Sequence, residues 1–112
     1  MNKNKFYVTT PLYYVNSKPH IGTLYSTVLA DVSARWNKML GKKVFFLTGT
    51  DEHGQKIQER AESLDMKPKE FVDSMLAPFK EIWELYEIEY DKFIRTTDQD
   101  HEQAVVSWIK KL

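Results

Sequence analysis

The sequence predicts an α/β fold: the first half of a doubly wound parallel sheet with helices on its faces. Three observations carry this. Short β-rich runs alternate with stretches of helical periodicity, in the order strand, helix, strand, helices, strand, helix. The run Val44-Phe-Phe-Leu-Thr48 is almost wholly apolar, as a parallel strand covered on both faces requires. The run from Thr9 to Thr23, which carries His20 and Gly22, joins a strand to a long amphipathic helix. Such a junction offers free backbone N–H groups and a partial positive charge to a phosphate.

Each element follows in order. Phe6 to Thr10 is β-rich and reads as a buried strand. Pro11 to Pro19 reads as a loop turning at Asn16-Ser17. From His20 to about Leu40, Leu24, Val28, Val32 and Trp36 recur every four residues, and Gly41 follows as a C-terminal cap. Gly49 to Gly54 reads as a loop, with a helix after it to about Leu64. Pro68 suits the first turn of the next helix, whose apolar face is Phe71, Met75, Phe79, Ile82, Trp83 and Tyr86. Pro78 should kink or divide that helix. Lys92 to Thr96 reads as a third strand, and Asp98 as the N-cap of a last helix that aligns Val105, Trp108, Ile109 and Leu112.

At 112 residues, 1–112 is at most one small domain. A hydrophobic content of 42% suits a globular protein, and 16 basic against 16 acidic residues leave no net charge to attract nucleic acid. The absence of cysteine excludes disulfides and thiolate zinc sites. Met1-Asn-Lys-Asn-Lys5 is no apolar leader, and no long apolar run follows, so the expectation is a cytoplasmic protein with no membrane segment.

Two loops carry the chemistry. In an open parallel sheet, loops at the carboxyl ends of the strands line the ligand crevice, so His20 and Asp51 are expected on one rim. His20 can donate to a phosphate oxygen, Gly22 admits a flat ring, and Thr23 offers a hydroxyl in the first helical turn. The plainer alternative makes His20 a helix cap and Thr23 an ordinary helical residue. Asp51 suits a substrate ammonium group; the alternative is a cap for the next helix. Asp51, Glu52 and His53 are a poor metal set, because adjacent residues do not face one ion. Tyr13 and Tyr14 line a pocket or pack beside the sheet.

Taken together, Tyr7 to Tyr14, His20-Ile-Gly-Thr23 and Phe45 to Ile57 resemble the start of a class I aminoacyl-tRNA synthetase, and within that class the methionyl-tRNA synthetases. The resemblance runs from Tyr7 to about Asp98. Its most specific part is Thr48-Gly-Thr-Asp-Glu-His-Gly54. It implies a Rossmann-like domain whose 112 residues are the amino-terminal half of the catalytic unit. The implied activity is that of a methionine–tRNA ligase. Methionine attacks the α-phosphate of ATP, supplied with Mg2+, and the methionyl group then passes to tRNA. Carried over by position, His20 and Thr23 are catalytic, and with Gly22 they bind ATP. Leu12, Tyr14 and Asp51 form the methionine site. Thr23 stands where the family motif has a second histidine, so it brings no positive charge.

The family's connective insertion, often zinc-binding, its second sheet half, its lysine-rich loop and its anticodon-binding helices have no counterpart among these residues. The chain therefore reads as a piece of a longer product, with zinc and the main tRNA contacts outside it. Two other readings are a non-catalytic nucleotide- or partner-binding remnant of the same fold, and a small nucleotidyltransferase sharing the His-x-Gly motif. The Thr48 to Gly54 block disfavours the latter.

Overall fold

One strand takes the pairing of all the others. In the computed structural model, which describes residues 3–112, that strand is β3 (Lys43–Asp51). Of the lead Met1–Lys5, the first two residues lie outside the described part. The other strands are β1 (Lys5–Thr9), β2 (Tyr13–Tyr14) and β4 (Lys92–Arg95). The helices are α1 (Ile21–Met39), α2 (Gln55–Ser63), α3 (Pro68–Leu85) and α4 (Gln99–Lys111).

All pairings are parallel. β1 runs from Lys5 beside Lys43 to Thr9 beside Leu47, and β2 sets Tyr14 beside Asp51. β4 runs from Lys92 beside Leu47 to Arg95 beside Thr50. The Leu47 carbonyl accepts from Thr10 N–H, whereas those of Phe46 and Thr50 accept from Asp91 and Thr96. Peptide groups alternate in direction along a parallel strand, so β1 and β2 share one edge of β3 and β4 takes the other.

β3 is longer than the apolar run suggests. It continues through Gly49, Thr50 and Asp51, which the sequence assigned to a loop. Glycine is needed there for closeness: a Cβ on Gly49 would lie 1.9 Å from the Ile94 carbonyl oxygen of β4. Phe46, Thr48 and Thr50 are fully buried on one face. The other face is less covered than expected. Tyr7 is 61% exposed, and its ring lies 6.0 Å from that of Phe45, its neighbour across the pair. The first strand is thus alternating rather than buried.

α1 ends as the sequence predicts. Gly41 has φ 76°, Gly41 N–H donates to Lys38 O, and Lys42 N–H donates to Asn37 O, closing the helix with a left-handed residue. Its buried face is different from the predicted stripe. Leu24 and Val28 pack against the core, but Val32 and Trp36 are 57% and 59% exposed. Residues four apart turn through about 400° on a helix, so a strict four-residue repeat drifts around the surface. The buried positions are Thr23, Thr27, Ala30, Asp31, Ala34 and Asn37.

Phe46, Ala30, Ala34, Ile57 and Ala61 join Phe71, Val72, Phe79 and Trp83 of α3 in one core. Pro68 stands at the start of α3, and the helix runs undivided through Pro78. Tyr86, assigned to its apolar face, is the exposed C-cap. The aligned residues of α4 are exposed; Asp98 stands at the N-cap position as expected, but its carboxylate accepts from Arg95 N–H at 2.9 Å and makes no bond to the helix.

The close approach at Gly49 leads to a measurable cost. Gly49→Ala should force β3 and β4 apart and destabilise the chain by about 2 kcal/mol or more, the scale of overpacking a filled site. A fall in the urea unfolding midpoint with an unchanged slope is the expected result; an unchanged midpoint would contradict it.

Candidate functional site

The loop after β1 is pinned by hydroxyls. Thr10 Oγ1 and Thr48 Oγ1 lie 2.6 Å apart, both buried. The next two residues then alternate. Tyr13 turns inward: its hydroxyl meets Thr27 Oγ1 at 3.0 Å, and its ring packs beside Phe79 and Trp83. Tyr14 turns outward and is exposed. Tyr13 thus packs against the core, and both tyrosines line a cleft with His20.

His20 is the N-cap of α1. Its backbone is extended, and its Nδ1 accepts from Gly22 N–H at 3.0 Å. An Nδ1 used as acceptor leaves the proton on Nε2, which is then the atom that can donate outward. Capping and ligand binding are thus compatible in one imidazole. Gly22 serves this arrangement, because a Cβ there would lie 2.9 Å from His20 Cε1. Thr23 follows in the first turn and is only 6% exposed, and its carbonyl accepts from Thr27 Oγ1 at 2.9 Å.

Four of the six predicted site residues meet in one cleft of about 260 Å³: Leu12, Tyr14, His20 and Thr23, with Lys18 and Phe79. A neighbouring cleft of about 520 Å³ shares Tyr14 with Gly54 and Ile57. Gly22 and Asp51 line neither. Gly22 lies two residues from His20 under its ring, and Asp51 lies beside Tyr14 across the β2–β3 pair. Asp51 does not cap α2, whose N-cap is Gly54. Its carboxylate has only a long 3.5 Å contact from His53 N–H. Sequence reasoning passed over Lys18, although a cation two residues before His20 was visible.

It also passed over the cluster behind Asp51. Glu52 has a fully buried side chain gripped by Arg95: Nη2 meets Oε1 at 2.7 Å and Nε meets Oε2 at 2.8 Å. Thr50 and Thr97 hydroxyls donate to the same carboxylate at 2.6 and 2.8 Å. Arg95 Nη2 also reaches Asp73 at 2.5 Å. Desolvation by itself raises the Glu52 pKa, but the bonds from Arg95, Thr50 and Thr97 outweigh it and hold the group below the usual glutamate value. Arg95 is held above its ordinary value, first by the Glu52 bond. Among the described residues no three His, Cys, Asp or Glu side chains gather as a metal site, and no helix is long and apolar enough to cross a membrane.

Residues 6–112 match the family described as class I (M) tRNA synthetases. The chain belongs to that family. This class I synthetase segment is 55% identical over 112 residues to the methionine–tRNA ligase of Clostridium tetani, covering all of the segment and 18% of that protein. It is 50% identical over 112 residues to the corresponding ligase of Streptococcus pneumoniae, of which it covers 17%. Among solved structures it is similar to Mycobacterium tuberculosis methionyl-tRNA synthetase in complex with methionyl-adenylate. That match has a TM-score of 0.87 and 38% identity, over 90% of this chain and 20% of the other. The segment thus spans under a fifth of the curated relatives' length.

The Glu52 environment of this synthetase segment gives a pH dependence of known sign. A folded-state pKa below the unfolded value, about 4.3, contributes stability that is present above that value and lost as pH falls through the folded one. Glu52→Gln should therefore cost about 3 kcal/mol at pH 7, the scale of breaking a buried pair. The difference between variant and parent should shrink as the pH is lowered below about 4. Urea unfolding at neutral and acid pH checks this; a difference independent of pH would rule it out.

Proposed function

We propose that the segment is the amino-terminal part of the catalytic domain of a methionine–tRNA ligase. In that reading the complete gene product joins methionine to ATP as methionyl-adenylate, releases pyrophosphate, and passes the methionyl group to tRNA. The observation that carries the reading is the match, over 90% of the chain, to a synthetase holding methionyl-adenylate. It is supported by a cleft between the segment that follows β1 and the start of α1, which gathers Leu12, Tyr14, His20 and Thr23.

The chemistry asks the protein for alignment and charge stabilisation more than for covalent help. His20 donates from Nε2 to a phosphate oxygen of ATP while its Nδ1 keeps α1 capped. Lys18 adds a positive charge at the same cleft. Gly22 leaves the approach to the helix start open for adenine. Mg2+ arrives with the ATP phosphates as part of the substrate. Asp51 takes the methionine ammonium group, Tyr14 flanks it from the neighbouring strand, and the Leu12 backbone completes the methionine site. Thr23, without charge and mostly buried, contributes a hydroxyl beneath the phosphates. A cytoplasmic location belongs to the same reading.

The complete gene product should catalyse methionine-dependent ATP–pyrophosphate exchange, and the isolated 112-residue chain should not. Thr23→Ala in the complete product should slow exchange with methionine affinity nearly unchanged. Exchange by the isolated chain would refute the assignment of the remaining machinery to other segments, and equal rates for Thr23→Ala and its parent would remove Thr23 from the mechanism.

A further inference from the structure

We propose that Arg95 is a positioning residue for the ammonium-binding carboxylate of Asp51, acting through Glu52. The inference rests on the reading of Asp51 as the ammonium site. Asp51 is the last residue of β3, and its own carboxylate has only the 3.5 Å contact from His53 N–H. Its direction is therefore set by its backbone neighbours. Both are clamped. Thr50 donates its hydroxyl to Glu52 at 2.6 Å, and its carbonyl accepts from Thr96 N–H. Glu52 N–H donates to Thr96 Oγ1 at 2.9 Å, and its carboxylate lies in the Arg95 fork.

Side chains alternate along extended backbone, so Thr50 and Glu52 share one face and Asp51 points to the opposite one. The clamp therefore holds the strand end from behind and leaves the Asp51 carboxylate unencumbered in front. It also settles the charge. Glu52 is adjacent to Asp51 and its side chain is buried, so its charge needs a partner on its own face. The Arg95 guanidinium neutralises it in a planar, two-point contact that a lysine does not reproduce. Asp73 and, through it, Lys69 anchor the far side of Arg95 to α3.

The test measures equilibrium dissociation constants of the complete gene product for methionine and for its deamino analogue, which keeps the carboxylate and thioether but lacks the ammonium group. Arg95→Met should lower the preference for methionine over the analogue roughly tenfold, the scale of a displaced charge-assisted contact. Arg95→Lys should lower it less. Asp51→Asn should abolish the preference, and adding Arg95→Met to Asp51→Asn should change it no further. A loss of affinity for both ligands in equal proportion, or an unaltered preference in Arg95→Met, overturns the role of Arg95 and leaves Asp51 standing. An unaltered preference in Asp51→Asn overturns the ammonium site and this inference with it. If Arg95→Met does not fold, the preference measured in Arg95→Lys decides.

Discussion

Every strand pairing among the described residues is a pairing to β3. Remove that strand and β1, β2 and β4 have no partner in common. Its position is over-determined. Phe46 N–H donates to the Asp91 carboxylate ahead of β4, its ring is fully buried, and Glu52 just beyond the strand is locked by Arg95. A parallel strand depends on partners distant in sequence, so contacts spanning some 45 residues stand where a hairpin would have used a local turn.

This arrangement explains how the site is carried. Two segments leave the carboxyl ends of β1 and β3, and each divides its residues between holding and offering. Tyr13 holds and Tyr14 offers. His20 caps α1 through Nδ1, and in the proposed function its Nε2 faces the phosphate. Glu52 holds, while Asp51 keeps only a weak contact of its own. The zero net charge of the chain conceals this, because the charges that matter are sorted locally between buried pairs and the rim.

Much of the fold was legible because its signals are local. Gly41, Pro68 and the apolar run of β3 mark boundaries by their own conformational limits. The errors share a cause: neighbours absent from the local sequence. Gly49 reads as a loop glycine until β4 is beside it. The every-fourth stripe of α1 picks out Val32 and Trp36, yet the core accepts Ala30, Ala34 and two threonines instead. Of the residues named from the His-x-Gly motif and the family resemblance, Leu12, Tyr14, His20 and Thr23 converge in one cleft, and Gly22 and Asp51 do not line it. The Glu52–Arg95 pair escaped, since no periodicity links residues 43 apart.

The core is not uniform along β3. Its first half meets the interior with Phe46 and its second half with Thr48 and Thr50; Thr10 bonds to Thr48 there, and Thr27 bonds to Tyr13 of β2. Apolar contacts are non-directional, so the first half can drift in sequence through swaps that keep volume. Hydroxyls at 2.6 to 3.0 Å are directional, and removing one strands its partner. At the end of the sheet beside the cleft a single substitution should therefore cost more than a paired one. The two halves of one strand should therefore tolerate substitution differently, and the half tied by directional bonds is the one beside the candidate site.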